Sequence, residues 1–275
     1  MVDSLLLVLH EVLEAAIIVS LLLALSSRLK LNGIWCFSAI LFGFSSSWIS
    51  AYCAYDITNA FEGAGQELLN ISLALLIIGS IVLLNILLQS LVFLRLKEKQ
   101  DSVFKLTLAK NRVLIYSFLI IAVSCAVGRE GFEIWLYFFS FSYSSPIFYS
   151  ALMGALIGAG IGISLGALLY YIFIFIPRIF FIPVIFIMTA LIIGGLSMRV
   201  CKELMQIGWL DSTKPIWDSS VLIDEHSWVG ELASVVLRYD AQPTLEQVLF
   251  YFVAIAPLLF ALLWNLFRFQ LKPSQ

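Results

Sequence analysis

The chain has 275 residues, of which 61% are hydrophobic, 14% aromatic and only 12% charged. An average soluble domain is roughly half apolar and about a quarter charged, so too few charges are present here to cover the outside of so apolar a core. That excludes a soluble enzyme, a disordered chain and a nucleic-acid binder. Seven spans of about 20 residues would use over half the chain, which leaves one polytopic membrane domain over residues 1–275.

The first apolar run is not expected to be a removable signal peptide. It lacks a basic leading region and contains His10, Glu11 and Glu14, which a signal core would exclude. Apolar runs predict an all-α fold with seven transmembrane helices at about 4–25, 34–55, 67–94, 113–139, 148–176, 179–198 and 249–269. The third, fourth and fifth are long enough to tilt or project from the bilayer. Residues 199–248 carry turn formers, tryptophans and charges, and are expected to form an extramembrane segment before the seventh helix. Four cysteines (Cys36, Cys53, Cys125, Cys201) show no paired spacing and read as apolar filler, with Cys53–Cys201 the one pairing open to a disulfide.

The position of the charges says more than the net charge of −2. With the N-terminus outside, 11 of the 16 Lys and Arg fall in inner loops and four (Arg199, Lys202, Lys214, Arg238) outside, while Arg129 lies within a span. This positive-inside bias places the N-terminus outside and the C-terminus inside. Acids lean the other way, with Asp56, Glu62, Glu203, Asp211, Asp218, Asp224, Glu225, Glu231, Asp240 and Glu246 in or beside the outer segments. A negative vestibule concentrates cations and speeds their capture.

The most informative residues are charges inside the membrane. The first helix holds His10-Glu11-Val12-Leu13-Glu14 and the fourth Arg129-Glu130-Gly131-Phe132-Glu133. A charge at the bilayer centre costs roughly 2.5–3.5 kcal/mol on insertion scales, so five would oppose insertion by on the order of 10 kcal/mol before pairing and water relieve it. A structural helix would carry Leu there. Residues three apart share a helix face with Cβ atoms about 5–6 Å apart, so each motif presents a forked carboxylate pair. His10 stands four before Glu14, and Arg129 four before Glu133.

The motifs lie 119 residues apart, each on the first helix of a three-helix unit. Units of about 1–94 and 113–198 therefore run in opposite directions, the pattern of a 3+3 inverted repeat whose interface holds the transported ion. An oxygen-rich cluster with no thiolate suits hard cations such as Fe³⁺, Mn²⁺, Ca²⁺ or Mg²⁺. Carboxylates this close repel one another, so the empty site is expected to hold protons that an arriving metal displaces, which would link transport to protons.

On these residues the sequence resembles the iron permease family, the high-affinity iron transporters of fungi and bacteria, marked by Arg-Glu-Gly-x-Glu motifs in helices 1 and 4. Arg129 to Glu133 match the motif in full, and His10 to Glu14 match except at His10 and Val12. The likeness continues in Phe61-Glu62-Gly63-Ala64-Gly65-Gln66-Glu67, Gly208-Trp209-Leu210, Trp217-Asp218-Ser219-Ser220 and Pro243-Thr244.

The resemblance implies a transporter rather than an enzyme, with iron as substrate and no resident cofactor. It implies metal ligation by Glu11, Glu14, Glu130 and Glu133, with His10 a further candidate ligand and Arg129 balancing charge. Glu62 and Glu67 become candidates for the approach path. Asp218, Asp224, Glu225 and His226 become candidates for metal capture or docking of an extracytoplasmic oxidase or iron-delivery protein. Three roles stay open to His10: ligand, titratable counter-charge or spacer. Val12 in place of glycine is expected to limit close backbone approach.

The competing functions are a permease for Mn²⁺ or a heavy metal and, more remotely, an intramembrane metalloprotease, since His10-Glu11 is half of a zinc-protease helix. A second helical histidine is missing, however, and the duplicated acid motif has no role in a protease. The short chain favours a bacterial inner membrane. Gly154, Gly158, Gly162 and Gly166 recur every four residues and predict close helix packing.

Overall fold

The computed structural model describes residues 1–98, 107–141, 146–221, 223, 227, 230, 233, 234 and 239–270. The chain forms α1 (Val2–Arg28), α2 (Ile34–Tyr52), a short α3 (Ala54–Asn59) with a 3₁₀ turn (Ala60–Gly63), α4 (Gly65–Glu98), α5 (Arg112–Phe139), α6 (Pro146–Phe175), α7 (Arg178–Gln206) and α8 (Leu245–Gln270). All of these except α3 and the 3₁₀ turn are long and apolar enough to cross a membrane, giving the seven spans expected. Among the described residues the only β pairing is an isolated bridge between Pro215 and Thr244.

Two helix ends differ from the sequence reading. The second span stops at Tyr52 rather than Tyr55, because the chain breaks at Cys53 into α3. The sixth runs to Gln206 instead of ending near Met198, which adds two turns and takes Arg199 and Glu203 out of the expected loop. Its core face simply continues, with Leu196, Val200 and Cys201 all buried. The helix ends where Gly208 adopts φ +75°, with Gly208 N–H donating to Met205 O and Trp209 N–H to Leu204 O, both at 3.0 Å. That is a Schellman cap, and it needs a residue free of the left-handed penalty.

The most extensive helix contacts are α1 with α6 and α2 with α5, so the first spanning helix lies on the fifth and the second on the fourth. α5 also packs on α4 and α1, while α7 packs on α8 and α4. Lipid tails are as apolar as Leu, so these contacts are favoured by close fit rather than by escape from water. The glycine row of α6 faces α1: a Cβ on Gly154 or Gly158 would collide with the carbonyl oxygen of Met1 or Leu5. Ser20 Oγ closes the same seam by donating to Gly166 O at 2.7 Å.

The main core gathers α1, α4, α5 and α7 around Ile18, Leu21, Ile81, Leu119, Val123 and Ile193. These residues lie beyond Glu14 in α1 and before Arg129 in α5, so apolar packing fills the bundle on one side of the charged motifs. All four cysteines are free thiols, and the Cys53–Cys201 pairing is not formed.

Candidate metal site

The two motifs meet where α1 crosses α5. One carboxylate oxygen each from Glu11, Glu130 and Glu133 lie within 4.8 Å of one another. Hard cations take oxygens at about 2.0–2.6 Å, so a single ion between the three needs only small side-chain adjustments. Glu11 Oε2 and Glu130 Oε2 are buried without a protein hydrogen-bond partner. A buried carboxylate oxygen left unsatisfied is costly, and a cation would relieve both.

The fourth carboxylate is held differently. Glu14 is 1% exposed and faces the fork of Arg199, with Nη1 2.8 Å from Oε2 and Nη2 2.5 Å from Oε1. His10 Nε2 stands 3.2 Å from the same Oε1, one helical turn away. His10 therefore sits against Glu14 and outside the three-carboxylate group. Arg129, 0% exposed, pairs with Glu130 Oε1 at 3.0 Å and with Glu203 Oε1 of α7 at 3.4 Å. An unpaired guanidinium as buried as that of Arg129 would be prohibitively expensive, and it is matched to two acids.

A cavity of about 440 Å³ leads to the cluster. Its walls are Leu7 and Glu11 from α1, Gln66, Glu67 and Asn70 from α4, Arg129, Glu133 and Leu136 from α5, and Arg199, Lys202, Glu203 and Gln206 from α7. These residues lie toward the starts of α1 and α4 and the ends of α5 and α7, so the cavity occupies the side of the bundle where the chain begins. Asn70 Nδ2 donates to Glu133 Oε1 at 3.3 Å and steadies that carboxylate at the cavity floor. The opposite side is closed by the apolar core.

Of the residues proposed for the approach, Glu67 lines the cavity with a buried, unpartnered Oε2. Glu62 is exposed on the 3₁₀ turn at φ 62° and is not among the cavity residues. Asp218 is engaged within its own loop: it accepts from Ser220 N–H at 2.9 Å, Ser220 Oγ at 2.6 Å and Gln242 Nε2 at 2.8 Å. The Ser220 hydroxyl and amide hold its carboxyl below the usual range. Asp224, Glu225 and His226 lie outside the described residues.

Sequence reasoning missed Arg199, Glu203, Asn70 and Gln66. The signal for the first two was present in their spacing of four, on a segment whose apolar period continues through Leu196, Val200 and Leu204. Asn70 and Gln66 are likewise one turn apart, just inside the third span.

Residues 1–274 match the family model of the Iron permease FTR1 family. The chain belongs to the iron permease FTR1 family. Comparison with curated proteins and with solved structures gives no match. The family assignment makes this chain an integral-membrane metal-ion permease rather than an enzyme, consistent with its seven long apolar helices.

Proposed function

We propose that this permease imports iron by passing it from the cavity on the N-terminal side into the Glu11–Glu130–Glu133 cluster and then through the bundle. The convergence of three carboxylate oxygens within 4.8 Å at the end of that cavity carries the reading. The positive-inside distribution of Lys and Arg supports an orientation with the cavity side outside. Moving Arg199 from the outer loop into α7 only sharpens that bias. The exchanged pairings, α1 on α6 and α2 on α5, support two inverted three-helix halves with the ion between them.

Charge bookkeeping fits iron. Glu11, Glu14, Glu130, Glu133 and Glu203 against Arg129 and Arg199 leave a formal −3 when all are ionised. A trivalent cation neutralises this, as does a divalent cation together with one proton, and the second route makes transport proton-linked. An extracytoplasmic oxidase or delivery protein would hand iron over at the cavity mouth, where Lys202 Nζ ties the last loop down through Asp240 Oδ2 at 2.7 Å.

The test is radioactive iron uptake in bacterial cells lacking other iron importers, with Fe²⁺, Fe³⁺ and Mn²⁺ in competition. Uptake should vanish with Glu130→Gln and Glu133→Gln while both proteins still insert. Preference for Mn²⁺ over both iron species would assign a different metal, and normal iron accumulation by the two variants would remove the site.

A further inference from the structure

The two motifs are unequal at their first position, yet each half of the cluster faces one guanidinium. Arg129 supplies it to the second motif from within that motif. The corresponding residue of the first motif is His10, whose side chain is 32% exposed and which carries no permanent charge. The guanidinium that reaches Glu14 instead comes from Arg199, 185 residues away on α7, in a two-pronged contact at 2.8 and 2.5 Å. Arg199 and His10 converge on the same oxygen, Glu14 Oε1.

We propose that Arg199 is the positioning residue of the first motif: it replaces the permanent charge that His10 lacks and holds Glu14 back from the cation, so that Glu11, Glu130 and Glu133 form a three-carboxylate cage. The inference rests on the iron-site reading above. A fork-to-fork guanidinium–carboxylate contact fixes both oxygens of Glu14 at once, and those oxygens are then turned to Arg199 rather than to an ion. Losing Arg199 would release Glu14 from the guanidinium fork, so that it can turn toward the cation as a fourth ligand, and take the formal charge of the cluster from −3 to −4. The cage should then hold a cation more tightly and release it more slowly.

His10 lies one helical turn before Glu14 on the same face, so an arginine at position 10 can reach the carboxylate that Arg199 now holds. That makes the charge movable. In nanodiscs, Mn²⁺ binding read by electron paramagnetic resonance should tighten about tenfold or more in Arg199→Gln, while iron uptake in cells falls by about the same factor. The double variant His10→Arg/Arg199→Gln should return both quantities to within about threefold of the native protein. Arg199→Lys should fall between the two, because a lysine keeps the charge and loses the fork.

A purely structural role for Arg199 would not tighten metal binding, nor would it be repaired from position 10. Unchanged Mn²⁺ affinity in Arg199→Gln, or a double variant no better than the single one, overturns the proposal. If Arg199→Gln does not accumulate, the Mn²⁺ affinity of Arg199→Lys decides: tighter binding than the native protein supports the proposal and unchanged binding overturns it. Glu130→Gln separates the two levels: if that variant binds Mn²⁺ and imports iron normally, the site reading itself fails, whatever Arg199 does.

Discussion

The motif on α1 and the motif on α5 face one another across the same cluster, yet they meet its demands with different residues. On α5 the arginine is local and fully buried, and Gly131 lets α2 come close: a Cβ there would stand 2.8 Å from Ser47 Oγ. On α1 the guanidinium is borrowed from α7, and the glycine position holds Val12. The close approach is kept because the partner helix supplies the glycine instead, with a Cβ on Gly162 standing 2.8 Å from Val12 Cγ1. The expectation that Val12 limits backbone approach is therefore corrected: the small residue has moved across the interface. Each motif thus has one small residue at its helix contact and one guanidinium on its carboxylates, supplied from different positions in the two cases.

The largest effect should come from breaking the carboxylates one at a time. Glu11→Gln and Glu130→Gln remove ligands of the proposed cage, each with an orphaned buried oxygen, and should lower iron uptake to background, a loss of at least about a hundredfold, equivalent to about 2.7 kcal/mol. Glu14→Gln, whose carboxylate faces Arg199, should cost about tenfold instead. Equal losses at all four glutamates would show that the two motifs contribute alike.

The second test exchanges the small partner. Gly162→Val places a second branched side chain against Val12 and should destabilise the protein by about 1–3 kcal/mol through overpacking. Adding Val12→Gly should recover most of that, a coupling read from thermal unfolding in detergent of the two single variants and the double. Additive losses would mean that the seam is not a matched pair. Gly131→Val has only Ser47 to move and should behave like the uncompensated single variant.

These tests also mark what the sequence made legible. The seven spans, the two acidic motifs and the glycine row follow from hydropathy and spacing, because lipid admits few solutions for an apolar helix with buried acids. The sixth helix was cut short because Arg199, Lys202 and Glu203 look like loop charges when taken singly. In the bundle two of them are matched to acids or bases of the opposite motifs, a fact of tertiary contact that no local window contains. His10 was ambiguous for the same reason: its role depends on a residue 189 positions away. Glu67 lines the cavity, whereas Glu62 is exposed on the 3₁₀ turn, where Phe61 and Glu62 adopt φ 53° and 62°, a backbone turn that residue spacing does not reveal.

The polar cavity and the apolar core that closes its far side hold their amide side chains differently. Within the core region, Gln89 is 8% exposed, and neither of its amide heteroatoms has a hydrogen-bond partner among the described residues. Nearby Asn85 differs, since it accepts from Thr189 Oγ1 at 3.2 Å and so serves helix packing. An unsatisfied buried amide costs roughly 1–3 kcal/mol, so Gln89→Leu should raise the unfolding temperature. If the amide is retained as a polar step for the departing ion, uptake should fall severalfold at saturating iron with half-saturation unchanged. A stabilised variant with native turnover would make the residue incidental to transport.

The smallest effect belongs to the cavity rim. Lys202 is half exposed and lies 2.7 Å from Asp240, which also accepts from Gln242 N–H at 3.1 Å and Gln247 Nε2 at 3.2 Å. A pair with its lysine half exposed to solvent is worth about 0.2–1 kcal/mol, and the hydrogen bonds from Gln242 and Gln247 hold the loop without it. Lys202→Ala should therefore leave stability nearly unchanged while removing a positive charge from the wall that an incoming cation passes. Capture should then quicken by about twofold at low ionic strength and return to the native rate near 1 M salt, where the screening length is about 3 Å. A slower rate that salt does not alter would make Lys202 a brace for the loop, and the rim would then belong with the packed half of the molecule rather than with the path of the ion.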